Sequence, residues 1–422
     1  MKKLIFLSLI VMSIFSTSCN EEKKSGNQEQ DFKFLLEQFA DLKIMRYQVP
    51  GFDSLSLQQK ELVYYLSQAA IAGRDILFDQ NYKYNLAVRR TLENIVENYK
   101  GNRDSEDFQN FMVYTKRVWF SNGIHHHYSK DKFFPEISKE YFESLIRETK
   151  EGSFPLQNNQ DLEAFITQIS QIIFDPEIAP KAVSQEAGKD LLLNSACNFY
   201  DGVTEKEAEL YYSNLKANTI KNGGDTLVSF GLNSKLVKKN NIISEEVYKV
   251  GGLYTEAIEQ IVFWLNKAAE VAENPYQKQV IKSLVNYYQT GDLSIWDEYN
   301  VLWVKDLTSD IDFVNGFIEN YGDPMGLKAT WESVVNFKDK VATKRAETIS
   351  ANAQWFEDHS PVDPKFRKSV VKGVSAKVIT AAQLGGDCYP STPIGINLPN
   401  ADWIRKEHGS KSVTIENITY AY

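Results

Sequence analysis

The 422 residues include only three cysteines and five histidines, and that scarcity removes whole classes of chemistry. Apart from Cys19, the thiols are Cys197 and Cys388, which lie far apart and form no C-x-x-C or zinc-ribbon spacing. Each is expected to be a buried free thiol. Three of the histidines are consecutive, His125, His126 and His127, and the others are His359 and His408. Neighbouring side chains of a regular segment cannot all converge on one tetrahedral ion, and neither H-E-x-x-H nor H-x-x-E-H occurs. The run reads as a surface or loop feature, and His408 beside Gly409 as a turn residue. The sequence also lacks a G-x-S-x-G elbow, a G-x-x-x-x-G-K-[ST] loop and a G-x-G-x-x-G fingerprint. Ser369-Val370-Val371-Lys372 has the S-x-x-K form without the S-D-N and K-T-G motifs that give it meaning. Basic charge is short as well: 47 Lys and Arg stand against 56 Asp and Glu, a net charge of -9. No basic field offsets phosphate repulsion, which argues against a nucleic-acid partner.

What is present is a chain able to bury a sizeable core. It is 43% hydrophobic and 13% aromatic, and its length suits two or three domains. The first residues follow an export pattern: Lys2 and Lys3, an apolar stretch over 4–15, then Ser16-Thr17-Ser18 before Cys19. The apolar stretch is too short for a membrane span, and a cysteine placed directly after small residues resembles a bacterial lipoprotein signal. The expectation is a signal peptide over 1–18, lipidation of Cys19, and a charged flexible tether over 19–31. The protein would then be exported and lipid-anchored to a bacterial membrane, on its periplasmic or surface face. An ordinary cleaved signal with an incidental cysteine is the alternative.

Helical patterns dominate the remainder. Ser56 with Gln59 forms a capping box ahead of Leu62, Val63, Leu66, Ala69 and Ala70, and Ser138 caps a helix through Tyr141 and Leu145. Further helices are expected over 86–99, 108–120, 162–173, 205–217 and 254–273, and a long one over 328–357. Alternating or β-branched residues over 225–250 read as strands, as do 374–380 and 392–398, with Gly385-Gly386 and Tyr389-Pro390 marking turns. There is no internal repeat.

Chemistry-bearing residues gather in two stretches. The first is Gly385-Gly386-Asp387-Cys388-Tyr389-Pro390-Ser391-Thr392-Pro393-Ile394-Gly395-Ile396-Asn397-Leu398-Pro399-Asn400-Ala401-Asp402. Within it, Pro393 and Ile394 lead into Gly395, which exposes backbone, and the carboxamides of Asn397 and Asn400 precede the carboxylate of Asp402. An extended edge of this kind can hold another peptide's backbone by β-augmentation, whatever that peptide's side chains. The second stretch is Phe317-Ile318-Glu319-Asn320-Tyr321-Gly322-Asp323-Pro324, with Glu332 downstream. A carboxylate such as Glu319 can pair with a peptide ammonium, and a phenol such as Tyr321 can donate to a carbonyl oxygen as negative charge develops on it. From the residues alone, Glu319 reads as a solvated helix residue and Tyr321 as an amphipathic core-edge tyrosine, and the asparagines can serve as turn residues.

Taken together, the two stretches resemble the pre-catalytic part of the dipeptidyl peptidase III family, zinc exopeptidases that release dipeptides from peptide N-termini. The resemblance covers 254–414 and is looser earlier, around Asn122-Gly123-Ile124 and Lys130-Asp131-Lys132-Phe133. It implies that Glu319, Asn397 and Asn400 recognise the substrate N-terminus and that Tyr321 steadies the scissile carbonyl as the catalytic candidate. Glu332, Pro393, Ile394, Gly395 and Asp402 would belong to the substrate cleft. Ser412 stands where other members can have asparagine, so no role is carried onto it. The implied fold is α+β and mainly helical. A lower lobe with a small β-barrel core plus helices would comprise 32–337 and 381–422, and 338–380 would begin a helical upper lobe. In the family, zinc is held by two histidines of H-E-x-x-G-H and a downstream glutamate, and no such motif occurs here. The motif would lie beyond Tyr422, and the apolar run Ile418-Thr419-Tyr420-Ala421-Tyr422 is expected to continue into packed structure. The implied function is zinc-dependent dipeptide release from oligopeptides, with this chain holding the docking half and binding no zinc itself. The alternative is a non-catalytic peptide-binding lipoprotein.

Overall fold

In the computed structural model, which describes residues 32–223, 228–371, 374–390 and 392–419, Ser56 starts the first long helix as its sequence context predicts. Its hydroxyl accepts from the Gln59 amide at 3.2 Å, and the Gln59 carboxamide accepts from the Ser56 amide at 3.0 Å, closing a reciprocal cap on the helix Leu57–Ala72. Ser138 caps Lys139–Glu148 through the Tyr141 amide. Replacing Ser56 by alanine is expected to lower the unfolding free energy by about 1 kcal/mol. A denaturant midpoint that does not move would show that the Gln59 contact to Glu273, at 2.7 Å, holds this end unaided. The export signal, Cys19 and the tether fall outside the described residues.

The other expected helices run Asn85–Asn98, Glu106–Ser121, Leu162–Phe174, Glu205–Lys221 and Thr255–Glu270. Three more, Arg74–Asn81, Pro275–Thr290 and Leu293–Lys305, went unread in the sequence. Two of them carried legible starts: Asn274 caps the Gln277 amide ahead of Pro275, and Asp292 caps that of Ser294. The helices between 85 and 174 pack a core of their own around Leu92, Ile95, Phe108, Phe111, Phe142 and Ile173.

Among the described residues ten strands accompany the helices. They are β1 Leu35–Phe39, β2 Leu42–Met45, β3 Tyr200–Asp201, β4 Ser234–Lys239, β5 Ile242–Val247, β6 Ile311–Glu319, β7 Thr330–Lys338, β8 Val374–Gly386, β9 Gly395–Leu398 and β10 Ser410–Ile415. β1 pairs with β2, and β3-β4-β5 form a three-stranded sheet. The remaining five make a mixed sheet in the order β6-β7-β8-β10-β9. Within this sheet β8 and β10 pair parallel and the other described ladders are antiparallel, while in the three-stranded sheet β3 pairs parallel with β4.

The sheet corrects three sequence expectations. Residues 328–357 are not one helix: Thr330, Trp331, Val334, Val335 and Phe337 are β-branched or aromatic and form β7, buried along nearly its whole length. Helix begins only at Lys340, where the Asp339 carboxylate caps the amides of Val341 and Ala342. Glu319 closes strand β6 rather than a helix. Gly385 and Gly386 are not a turn but the last residues of β8, where a Cβ on Gly385 would lie 2.6 Å from the Ala70 carbonyl oxygen. The main core lies on this sheet, with Trp331, Phe313, Phe317 and Val334 packed against Leu66, Ile261, Leu284 and Tyr288. Gln80 completes it by accepting from the Trp331 amide at 2.9 Å and donating to the Ala329 carbonyl at 3.0 Å.

The expected small barrel is instead an open sheet bent hard on itself. Asp312 on β6 receives the Lys411 ammonium of β10 at 2.8 Å, although two strands lie between them. Flat strands would separate them by roughly 14 Å, so the sheet must curl to let the charges meet. Among the described residues β6 and β9 share no ladder pairing, because β9 ends after four residues at Pro399, which has no N–H to donate. The curl still brings the ends of β6 and β9 side by side, which matters for the site.

Candidate functional site

Where those two ends approach, Asn400 donates from Nδ2 to Glu319 Oε2 at 3.1 Å. The pair forms part of the wall of a cleft of about 690 Å³. Of the residues singled out in the sequence, Glu319, Tyr321, Glu332, Pro393, Gly395, Asn397 and Asn400 all line it. Two others do not. Ile394 is 60% exposed, and its carbonyl accepts from the Ile415 amide at 2.9 Å, fastening β9 to β10. Asp402 is exposed at the start of the short helix Asp402–Glu407, from which Arg405, rather than Asp402, reaches the cleft wall.

β9 is an edge strand of this sheet, β6 being the other, and its register shows which groups are free. Ile394 faces Ile415 in a hydrogen-bonded pair, so Ile396 and Leu398 also direct their N–H and C=O toward β10. The backbone groups of Gly395 and Asn397 therefore point away, into the open edge. Leu398 is buried and Ile396 partly buried in the core, whereas Gly395 and Asn397 are exposed on the cleft side. A second peptide strand laid there would find an unpaired ladder.

The acidic groups of the cleft differ in state. Tyr321 is 71% exposed, and its phenol is pushed up to about 12, first by hydrogen bonding to Glu319 and then by burial. It remains a donor at any physiological pH. Glu332 lies on the buried floor, opposite Gly386 of β8, with Cys388 Sγ donating to its Oε2 at 3.4 Å. Burial, reinforced by the charges of Glu319 and Asp387, raises its carboxyl to about 8. A carboxyl neutral at pH 7 can donate a hydrogen bond, leaving Glu319 and Asp387 as the negative charges near it.

Sequence reading missed several cleft residues. Asp387 lies next to Cys388 in the quoted run, and its Oδ2 lies 2.9 Å from the Thr330 hydroxyl, itself 3.0 Å from the Glu319 carbonyl. Cys388 is buried as expected, yet lines the cleft floor. His127, Tyr128 and Lys130 also line the cleft, so the histidine run is less peripheral than its sequence suggests. His127 packs edge-on to Phe120 at 5.2 Å, and burial lowers its imidazole to about 4, keeping it neutral. His125 is buried against the Ala179 carbonyl at 2.8 Å. Nothing in a run of three histidines distinguishes the one that faces a cleft.

Among the described residues no three His, Cys, Asp or Glu side chains converge in a way that could hold a metal ion. Nor is any helix there long and apolar enough to cross a membrane.

The architecture has close counterparts. The structure of DPP III from Caldithrix abyssi superposes with a TM-score of 0.62 over 87% of this chain and 57% of that chain, at 19% identity. Dipeptidyl-peptidase III from Corallococcus sp. strain EGB gives 0.63 over 89% and 57%, at 18% identity. The fold is therefore that of dipeptidyl peptidase III, α+β and mainly helical. Residues 214–422 match the model of peptidase family M49. Dipeptidyl peptidase 3 of Rattus norvegicus is 24% identical over 338 residues, covering 74% of this chain and 44% of its own length. That of Dictyostelium discoideum is 22% identical over 393 residues, covering 88% and 54%. The family model thus covers just under half of this chain, and distant similarity to dipeptidyl peptidases III extends over most of its length. It spans about half the length of the curated relatives it matches.

Proposed function

We propose that this chain docks the free N-terminus of oligopeptides for zinc-dependent dipeptide release, as the substrate-holding lobe of a dipeptidyl peptidase III-type enzyme. The observation that carries the reading is the meeting of Glu319 and Asn400 beside the open edge of β9. An ammonium bound at that carboxylate would place the following backbone within reach of Gly395 and Asn397, whose ladder groups have no strand partner among the described residues. Tyr321, kept protonated, is the donor for a substrate carbonyl, and neutral Glu332 a second donor at the floor. On this reading 32–337 and 381–422 form the docking lobe and 338–380 begin the lobe that would face it. Export and lipidation at Cys19 are part of the same proposal and would place it at a bacterial membrane.

Zinc does not fit the residues of this chain, since H-E-x-x-G-H does not occur in its sequence and no donor set gathers among the described residues. No chemical step is therefore assigned to the residues present here. A second reading is a lipoprotein that binds peptides without cleaving them.

Calorimetric titration of the full chain with tetra-alanine tests what both readings share. Saturable one-to-one binding is expected, and Asn397→Ala combined with Asn400→Ala is expected to weaken it about tenfold. Binding indifferent to the double substitution would overturn the docking site. Release of Ala-Ala by this chain with added zinc would overturn the assignment of zinc chemistry to residues outside it.

A further inference from the structure

The cleft does not end at the Glu319–Asn400 pair. Beyond it opens a second compartment of about 570 Å³, walled on one side by Glu319, Tyr321 and Asn400 and on the other by Tyr212, Lys216 and Phe230. The far wall is rigidly built. The Tyr212 hydroxyl donates to Glu245 at 2.8 Å and accepts from the fully buried Lys328 ammonium at 2.7 Å. Lys328 directs its other donors to the Gly231 carbonyl at 3.3 Å and the Ser234 hydroxyl at 3.2 Å. Swinging Tyr212 away would strip a buried cation of a partner, so the wall is held in place.

Lys216 follows Tyr212 by one turn on the helix Glu205–Lys221 and so shares its face. It is exposed and makes no ion pair with any described residue. A free ammonium thus borders the same space as Glu319, the anchor proposed for the peptide's own ammonium. With the α-ammonium on Glu319 and the backbone following Gly395 and Asn397 in the larger cleft, the first side chain leaves its Cα beside the shared wall. The second compartment is the space open to it there.

Resting on the docking reading above, we propose that this compartment takes the side chain of the substrate's N-terminal residue and that Lys216 makes it select aspartate or glutamate. The selected peptide is a zwitterion at one end, its ammonium held by Glu319 and its side-chain carboxylate by Lys216.

Titrating the full chain with Glu-Ala-Ala-Ala, Lys-Ala-Ala-Ala and tetra-alanine tests this directly. The glutamate-first peptide is expected to bind about fivefold tighter than the lysine-first one, the size of one half-screened ion pair. The ratio should shrink in high salt. Lys216→Ala should bring it near unity, and Lys216→Glu should invert it. A ratio near unity in the unmodified chain, or one that Lys216→Glu leaves unchanged, overturns the inference while tetra-alanine binding keeps the docking site intact. If none of the three peptides binds, the docking reading itself falls and the selectivity falls with it.

Discussion

Glu319→Gln is expected to weaken the binding of a peptide with a free N-terminus by between about tenfold and a hundredfold. A hydrogen bond to a charged group contributes about 1.5–3 kcal/mol, and each 1.4 kcal/mol is a factor of ten. The substitution is isosteric, and the glutamine carboxamide can turn its oxygen to accept from Asn400 Nδ2, now at 3.1 Å from Glu319 Oε2, so the wall should keep its shape. A second readout separates loss of charge from loss of structure. Because Glu319 is the leading cause of the Tyr321 shift, its phenol should fall from about 12 back toward its ordinary 10.0, visible in a spectroscopic alkaline titration. Unchanged affinity with a lowered tyrosine pKa would show that the carboxylate is present but does not anchor the substrate.

Glu332→Gln should change how stability depends on pH. The folded carboxyl titrates near 8, against 4.5 for the unfolded chain. Below 4.5 both states are protonated and the group contributes no pH dependence. Between 4.5 and 8 the unfolded chain releases its proton while the folded one holds it, so the unfolded state binds fewer protons and stability falls as pH rises. The slope is at most about 1.4 kcal/mol per pH unit, giving a deficit on the order of 4 kcal/mol by pH 8. Glutamine cannot ionise and can still accept from the Cys388 thiol. The variant should therefore gain stability over the parent as pH rises from 5 to 8, measured by urea denaturation at fixed ionic strength. Parallel pH profiles for the two proteins would place Glu332 in a solvated, ordinary state.

The sequence made some of this legible and concealed the rest for physical reasons. Some helix starts with a side-chain cap were readable, since a cap is a local contact: Ser56 and Ser138 both appear where their spacing puts them. β7 was not readable because its neighbours decide it. Thr330 to Lys338 is flanked by helix-forming sequence, and only burial between β6, β8 and the helices fixes it as a strand. The barrel expectation came from family likeness, and the four-residue length of β9 is what leaves the sheet open. Glu319, Tyr321, Asn397 and Asn400 could be gathered into one hypothesis from quoted motifs. Their convergence across the curled sheet is a tertiary fact no spacing contains. The neutral state of Glu332, the cleft-facing position of His127 and the compartment beyond Asn400 arise from packing alone.

The central claim is that the cleft holds the amino end of a peptide, and comparing tetra-alanine with N-acetyl-tetra-alanine on the unmodified full chain tests it most directly. Acetylation converts the ammonium to a neutral amide bearing a small acetyl group and leaves the rest of the ligand unchanged. The account predicts that the acetylated peptide binds at least about tenfold more weakly, the charge-assisted contact with Glu319 being lost. Equal affinity for the two would contradict it.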